Sequence, residues 1–230
     1  MRNDAAARTF PAMTDWEAIA KRAGERWRDG SGRVLEIMDQ LQRQHTRTAN
    51  AAWAQGLALT MLGRDEEARE GFVYAAHHYY ESWLFAPPAS WGRPIAIMKS
   101  WLLAGAPGAA AEVAAEVLRP RDEDETASPT ATYARCLALL VTGRDGEARE
   151  AAATLQGAAD FPDDVADALA ALAAHDRDAY ARAVREVLRS FEEREEFLED
   201  VPVADTVLVL QALAAPRGIA VELPDSRVLP

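Results

Sequence analysis

The sequence predicts an all-α protein, a superhelical array of antiparallel helical hairpins with about eleven helices. Three observations carry that reading. The phrase "LGRDEEAREGF" at 62–72 returns as "TGRDGEAREAA" at 142–152. Turn phrases recur near 63, 105, 143 and 175, spaced by 42, 38 and 32 residues, the length of a two-helix repeat. Strand-like alternation is confined to "GIAVEL" at 218–223. One helical pair cannot cover its own apolar stripe, so such units stack and share an elongated core.

The elements follow in order. Residues 1–13 read as a flexible N-terminal tail with charges of both signs, not as a secretory signal. Thr14-Asp15-Trp16-Glu17 is a capping box that opens a helix to about Arg28, and Ser31 opens another through Leu41. Gly63 and Gly143 end their helices in the left-handed conformation, and Asp65 and Asp145 cap or stand early in the helices that follow. The stretch at 103–118 puts Gly105 in a turn and Pro107 early in the next helix, while a fourth turn at Ala174 to Asp178 lacks glycine. Ser128-Pro129 starts a helix, Asp160 with Pro162 starts another, and Pro202 precedes an apolar helix, Val203 to Ala215, that Gly218 ends. "FAPPASWGRP" at 85–94 and "RPRDEDETA" at 119–127 are linkers. Residues 14–221 form one helical-repeat domain and 222–230 a C-terminal tail.

Composition narrows the function classes. The net charge is −12, which argues against an electrostatic grip on nucleic acid. Residues 1–100 carry 13 basic and 12 acidic side chains and residues 101–230 carry 12 and 25, so the excess acid is C-terminal. All six tryptophans, Trp16, Trp27, Trp53, Trp83, Trp91 and Trp101, fall within the first 101 residues. No apolar run reaches the roughly 18 residues that a membrane span needs. The single cysteine, Cys136, fits a cytoplasmic chain without disulfides.

Catalytic motifs are missing from the sequence. It has no glycine-rich phosphate loop, no G-x-S-x-G elbow and no H-E-x-x-H helix, and a non-enzymatic protein is expected. His77 and His78 are neighbours that point about 100° apart on a helix, so no metal or other cofactor is expected. Cys136 sits in the apolar stretch "YARCLALL" and reads as core. Trp16, Trp27 and Trp101 also read as core, whereas Trp53 falls where a repeat exposes side chains to its groove. Trp83 and Trp91 flank the proline loop with Arg93 following, which is either a binding hot spot or a plug between repeats.

Around the first turn Gly56, Leu59, Ala68, Phe72 and Ala75 have the spacing of small, aromatic and alanine positions that resembles a tetratricopeptide repeat, with the family's closing proline replaced at Tyr80. The copy around Gly143 keeps Leu139, Ala148 and Leu155. The resemblance implies a TPR-like α-solenoid that binds other polypeptides. The end of the chain, with Ala212-Leu213-Ala214-Ala215, Gly218, Ala220 to Leu223 and Leu229-Pro230, resembles the immunity 49 family of bacterial polymorphic-toxin systems. That likeness implies a cytoplasmic protein that neutralises a cognate toxin, and it implies no catalytic residue. The expected function is capture of a protein or peptide, basic in charge, with no nucleic acid and no membrane involved. The candidate partner-binding residues are Trp53, Trp83, Trp91, Arg93, Glu192, Glu193, Glu195 and Glu196. The alternative is a small-molecule binder or enzyme with a pocket near Trp53, Trp91 and Arg93, beside His78.

Overall fold

The computed structural model describes residues 14–34, 40–120 and 128–230, so the expected tail 1–13 and most of the acidic linker lie outside the described residues. The fold is all-α. Ten α-helices are described: α1 (Trp16–Val34), α2 (Leu41–Met61), α3 (Asp65–Leu84), α4 (Gly92–Leu103), α5 (Pro107–Val117), α6 (Pro129–Val141), α7 (Asp145–Leu155), α8 (Asp163–Ala173), α9 (Arg177–Glu193) and α10 (Asp205–Ala214). Two 3-10 turns follow α9 and α10, at Leu198–Asp200 and Ala215–Arg217. No strand occurs among the described residues, and "GIAVEL" is irregular backbone that begins at the left-handed Gly218.

Asp15 caps α1 by accepting the Ala18 amide at 2.9 Å. The expected break after Arg28 does not occur, and Ser31 opens no helix, because α1 continues through Gly30, Ser31 and Gly32. Glycine disfavours a helix interior by about 1 kcal/mol, a small term beside packing. At Gly30 the packing needs it, since a Cβ there would stand 2.5 Å from the Thr48 hydroxyl of α2.

The doubled phrase builds the same turn twice. Gly63 and Gly143 take φ of +69° and +71°, and the next amides reach back at 2.9 Å from Arg64 to the Leu59 carbonyl and at 2.8 Å from Arg144 to that of Leu139. This is the Schellman closure, which satisfies carbonyls left over at a helix end. Arg64 then forks onto Glu67 and Arg144 onto Glu147, each at 2.7 and 2.6 Å. Ala68 and Ala148, one residue on, are buried. Gly105 closes the turn between α4 and α5 in the same way, through Ala106 to Trp101 at 2.9 Å. His175, at φ +55°, stands in for glycine between α8 and α9, with Asp176 bonded to Ala171 at 3.0 Å.

From α1 to α9 each helix packs on the next. Helices α2 and α3 cross closely at Gly56 and Gly71, where a Cβ on Gly71 would lie 3.1 Å from the Gly56 backbone and one on Gly56 would lie 2.7 Å from the Phe72 ring. The chain then returns. Helix α10 packs on α4, α8 and α9, and the Leu198–Asp200 turn packs on α2. Lys99 of α4 meets Asp205 at 2.6 Å and lies 5.6 Å from the Trp53 ring centre. Gln211 donates to the Val221 carbonyl at 2.5 Å, Ala204 donates to that of Val228 at 2.9 Å, and Val228 is buried. Residues 222–230 are therefore docked into the fold.

Candidate functional site

The expected binding residues do not converge. Trp53 is 4% exposed, its ring edge-on to Phe72 at 5.2 Å, so it faces the core and no open groove. The physical reason is the returning chain: Asp205 holds Lys99 over the same tryptophan. Trp91 is also buried, and Trp83 is half-buried. The proline loop folds between these two tryptophans around a cavity of about 250 Å³. That arrangement fits the plug reading of the loop. Of the residues expected around a pocket, Trp53 contacts Phe72 and Lys99, Arg93 turns to Ser82 and Thr46, and Trp91 lines the cavity at the proline loop. Glu192 is half-buried and holds the tail, its carboxylate accepting the Ser226 hydroxyl at 2.6 Å and its carbonyl accepting Arg227 at 2.7 Å. Glu193, Glu195 and Glu196 remain exposed.

Two polar groups on α1, α2, α3 and α4 form a seam that the sequence did not reveal. The Nδ1 atoms of His45 and His78 are 3.1 Å apart, and the Ser31 hydroxyl lies 3.2 Å from Nε2 of His78. One turn along α3, Ser82 is fully buried, bonded to the Gln42 carbonyl at 3.1 Å and to the Thr46 hydroxyl at 2.7 Å, with Arg93 behind at 3.4 Å. Burial pulls His78 down to about 4, helped by His45 and His77, and burial lowers His45 as well. One imidazole must donate and the other accept, so the bond requires at least one of the two rings to be neutral. An imidazole of such low pKa is a weak base for a serine proton. The seam thus ties four helices together more readily than it runs acid–base chemistry. The pairing was hidden because His45 and His78 are 33 residues apart. Among the described residues no group of three or more His, Cys, Asp or Glu side chains is placed to hold a metal ion.

Cys136 is fully buried, donates weakly to the Ala148 carbonyl at 3.5 Å, and is pushed up to about 12 by burial. Such a thiol carries almost no thiolate at neutral pH.

Helix α3 also leaves large side chains in solvent. Tyr74, Tyr80, Leu84 and the following Phe85 are large side chains between 43% and 58% exposed. Tyr74 stacks on Trp27 at 4.5 Å, and Tyr80 stands edge-on to Trp83 at 6.3 Å. The buried face of the same helix carries Phe72, Ala75, Ala76 and Tyr79. The signal was present in the sequence, since α3 carries apolar residues on both faces and a helix with one buried stripe has no need of the second. No helix among the described residues is long and apolar enough to cross a membrane. Comparison of the chain with protein-family models, curated proteins and solved structures gives no match.

Proposed function

We propose that this protein is a non-enzymatic, TPR-like array of antiparallel helical hairpins that captures a basic polypeptide. The observation that carries the reading is the set of large side chains left exposed along α3 and just after it, Tyr74, Tyr80, Leu84 and Phe85, on a chain of net charge −12. Exposed large apolar side chains mark interaction sites when they gather in a patch, and the excess acid of residues 101–230 favours a basic partner and speeds its encounter. The array reading draws support from the four turns closed by the same backbone bond and from the packing of each helix on the next. Helix α10 would then lie along the array and occupy space that an open solenoid leaves for a ligand. Capture would consequently use outer surfaces and the exposed acids Glu193, Glu195 and Glu196. Neutralisation of a basic toxin in the cytoplasm, which the immunity 49 resemblance implies, is one instance of that function.

The test is affinity capture from a bacterial lysate at low and high salt, using the wild type and a variant with Glu193, Glu195 and Glu196 all changed to Gln. A basic protein held at low salt and released both by high salt and by the variant is the expected result. Capture that ignores salt and charge removal would overturn the electrostatic reading.

A further inference from the structure

Helices α3, α4 and α5 enclose a cavity of about 290 Å³ whose walls include His77, Tyr80, Trp101, Glu112 and Glu116. The buried Ala76 and Val113 also line it. The His77 ring stands edge-on to Trp101 at 5.3 Å and 83°. His77 and Tyr80 are exposed and Trp101 is half-buried, so the rings are within reach of a ligand. The two glutamates are one helical turn apart on α5. Glu116 is bound to Arg119 at 2.7 Å, whereas Glu112 is exposed and forms no ion pair among the described residues. Among the described residues no lysine or arginine lines the cavity.

We propose that this cavity binds an arginine or lysine side chain of a partner polypeptide, seated against the Tyr80 and Trp101 rings and paired with Glu112. The faces of aromatic rings attract cations through their quadrupoles, and a neighbouring carboxylate adds to the attraction. An inorganic cation is a poor occupant, because rings cannot replace the oxygen ligands that it demands. The volume is small for a drug-sized ligand, for which pockets begin at about 300 Å³, and it suits one cationic head with part of its stem. The shoulders point to a polypeptide source. Leu84, one turn beyond Tyr80, and Phe85 beside it are 58% and 56% exposed, so apolar residues flanking the cation on a chain would find contacts that a free amine cannot use. The inference rests on the capture function proposed above and gives it a location.

The experiment titrates the full-length protein with a capped synthetic peptide in which arginine–leucine pairs alternate with Gly-Ser spacers. Binding is read by calorimetry and tryptophan fluorescence, and a second peptide carries neutral citrulline for arginine. The expected result is binding that weakens about tenfold with citrulline and with Tyr80→Ala, and about threefold with Glu112→Gln. Both substituted residues are exposed, and near-UV circular dichroism checks that the fold is kept. Equal affinity for the two peptides, indifference to both substitutions, or no binding by the wild type would overturn the proposal. Displacement of the peptide by tetramethylammonium or arginine methyl ester at equal concentration would also overturn it, by showing a small-molecule site. Peptide binding lost only when Glu193, Glu195 and Glu196 are changed to Gln overturns this cavity and leaves capture by the acidic end standing. Loss only at Tyr80 and Glu112 does the reverse.

Discussion

Asp65 and Asp145 hold the same place in the doubled phrase, yet their surroundings give them different roles. Asp65 is exposed at the start of α3. Asp145, the first residue of α7, receives Arg217 at 2.5 Å and His175 at 2.6 Å, and Arg217 also donates to the Leu140 carbonyl at 2.6 Å. Partial burial pushes the Asp145 carboxyl up, but the hydrogen bonds from Arg217 and His175 more than reverse that and leave its pKa below the ordinary value. A depressed carboxyl stabilises the fold above its unfolded pKa and loses that contribution as pH falls through the folded one. Asp145→Asn is expected to cost about 2 kcal/mol at neutral pH, since it leaves Arg217 underpaired in a mostly buried place. Asp65→Asn should stay within about 0.5 kcal/mol of wild type. Urea unfolding at neutral pH and at pH about 3 checks the sign, because the gap between wild type and Asp145→Asn closes only in acid. Cys136 offers a simpler check at the same scale. A thiol reagent such as Ellman's should modify it only on unfolding, and rapid labelling of the native protein would contradict its burial.

At the scale of the element, glycine does two separate things that sequence pattern alone does not distinguish. In the turn at Gly105 nothing lies within 4 Å of a Cβ, so Gly105→Ala meets only the cost of a left-handed backbone, about 1–2 kcal/mol. Gly56 has an ordinary helical backbone in α2, and an alanine there would drive into the Phe72 ring. Overpacking of that kind costs about 1–3 kcal/mol, partly offset by the helix preference of alanine, about 1 kcal/mol. Chemical denaturation of both variants should show Gly105→Ala destabilised. It should also show Gly56→Ala at least as unstable as wild type, and a gain in stability for Gly56→Ala would mean that α2 and α3 can slide apart at small cost. The turn glycines were legible because Gly followed by a charged helix start is a local signal. The break expected between Arg28 and Ser31 did not occur, and the glycine inside it, Gly30, answers to Thr48 on another helix, which no local signal records.

For the whole molecule the decisive feature is the return of the chain. Val203, Val207, Leu210 and Leu213 are buried, and with Lys99–Asp205 and Arg217–Asp145 they tie residues 201–230 to α4 and α7. A chain ending at Asp200 would expose the apolar surface that these residues cover on α4, α8 and α9. It is expected to melt without a sharp transition and to associate on size exclusion, whereas a cooperative melt near that of the full chain would show that 14–200 stands alone. The same return explains why Trp53 is buried rather than exposed, since Asp205 of the returning segment holds Lys99 beside its ring.

The amino-acid sequence by itself determined the helical class, most helix starts and the four turns, because caps, left-handed glycines and apolar periodicity act over a few residues. The burial of Trp53, the pairing of His45 with His78, the anchoring role of Asp145 and the cavity between α3 and α5 were decided only by the tertiary structure. Each brings together side chains from different helices, and their proximity depends on how those helices pack. Local propensity carries no record of that.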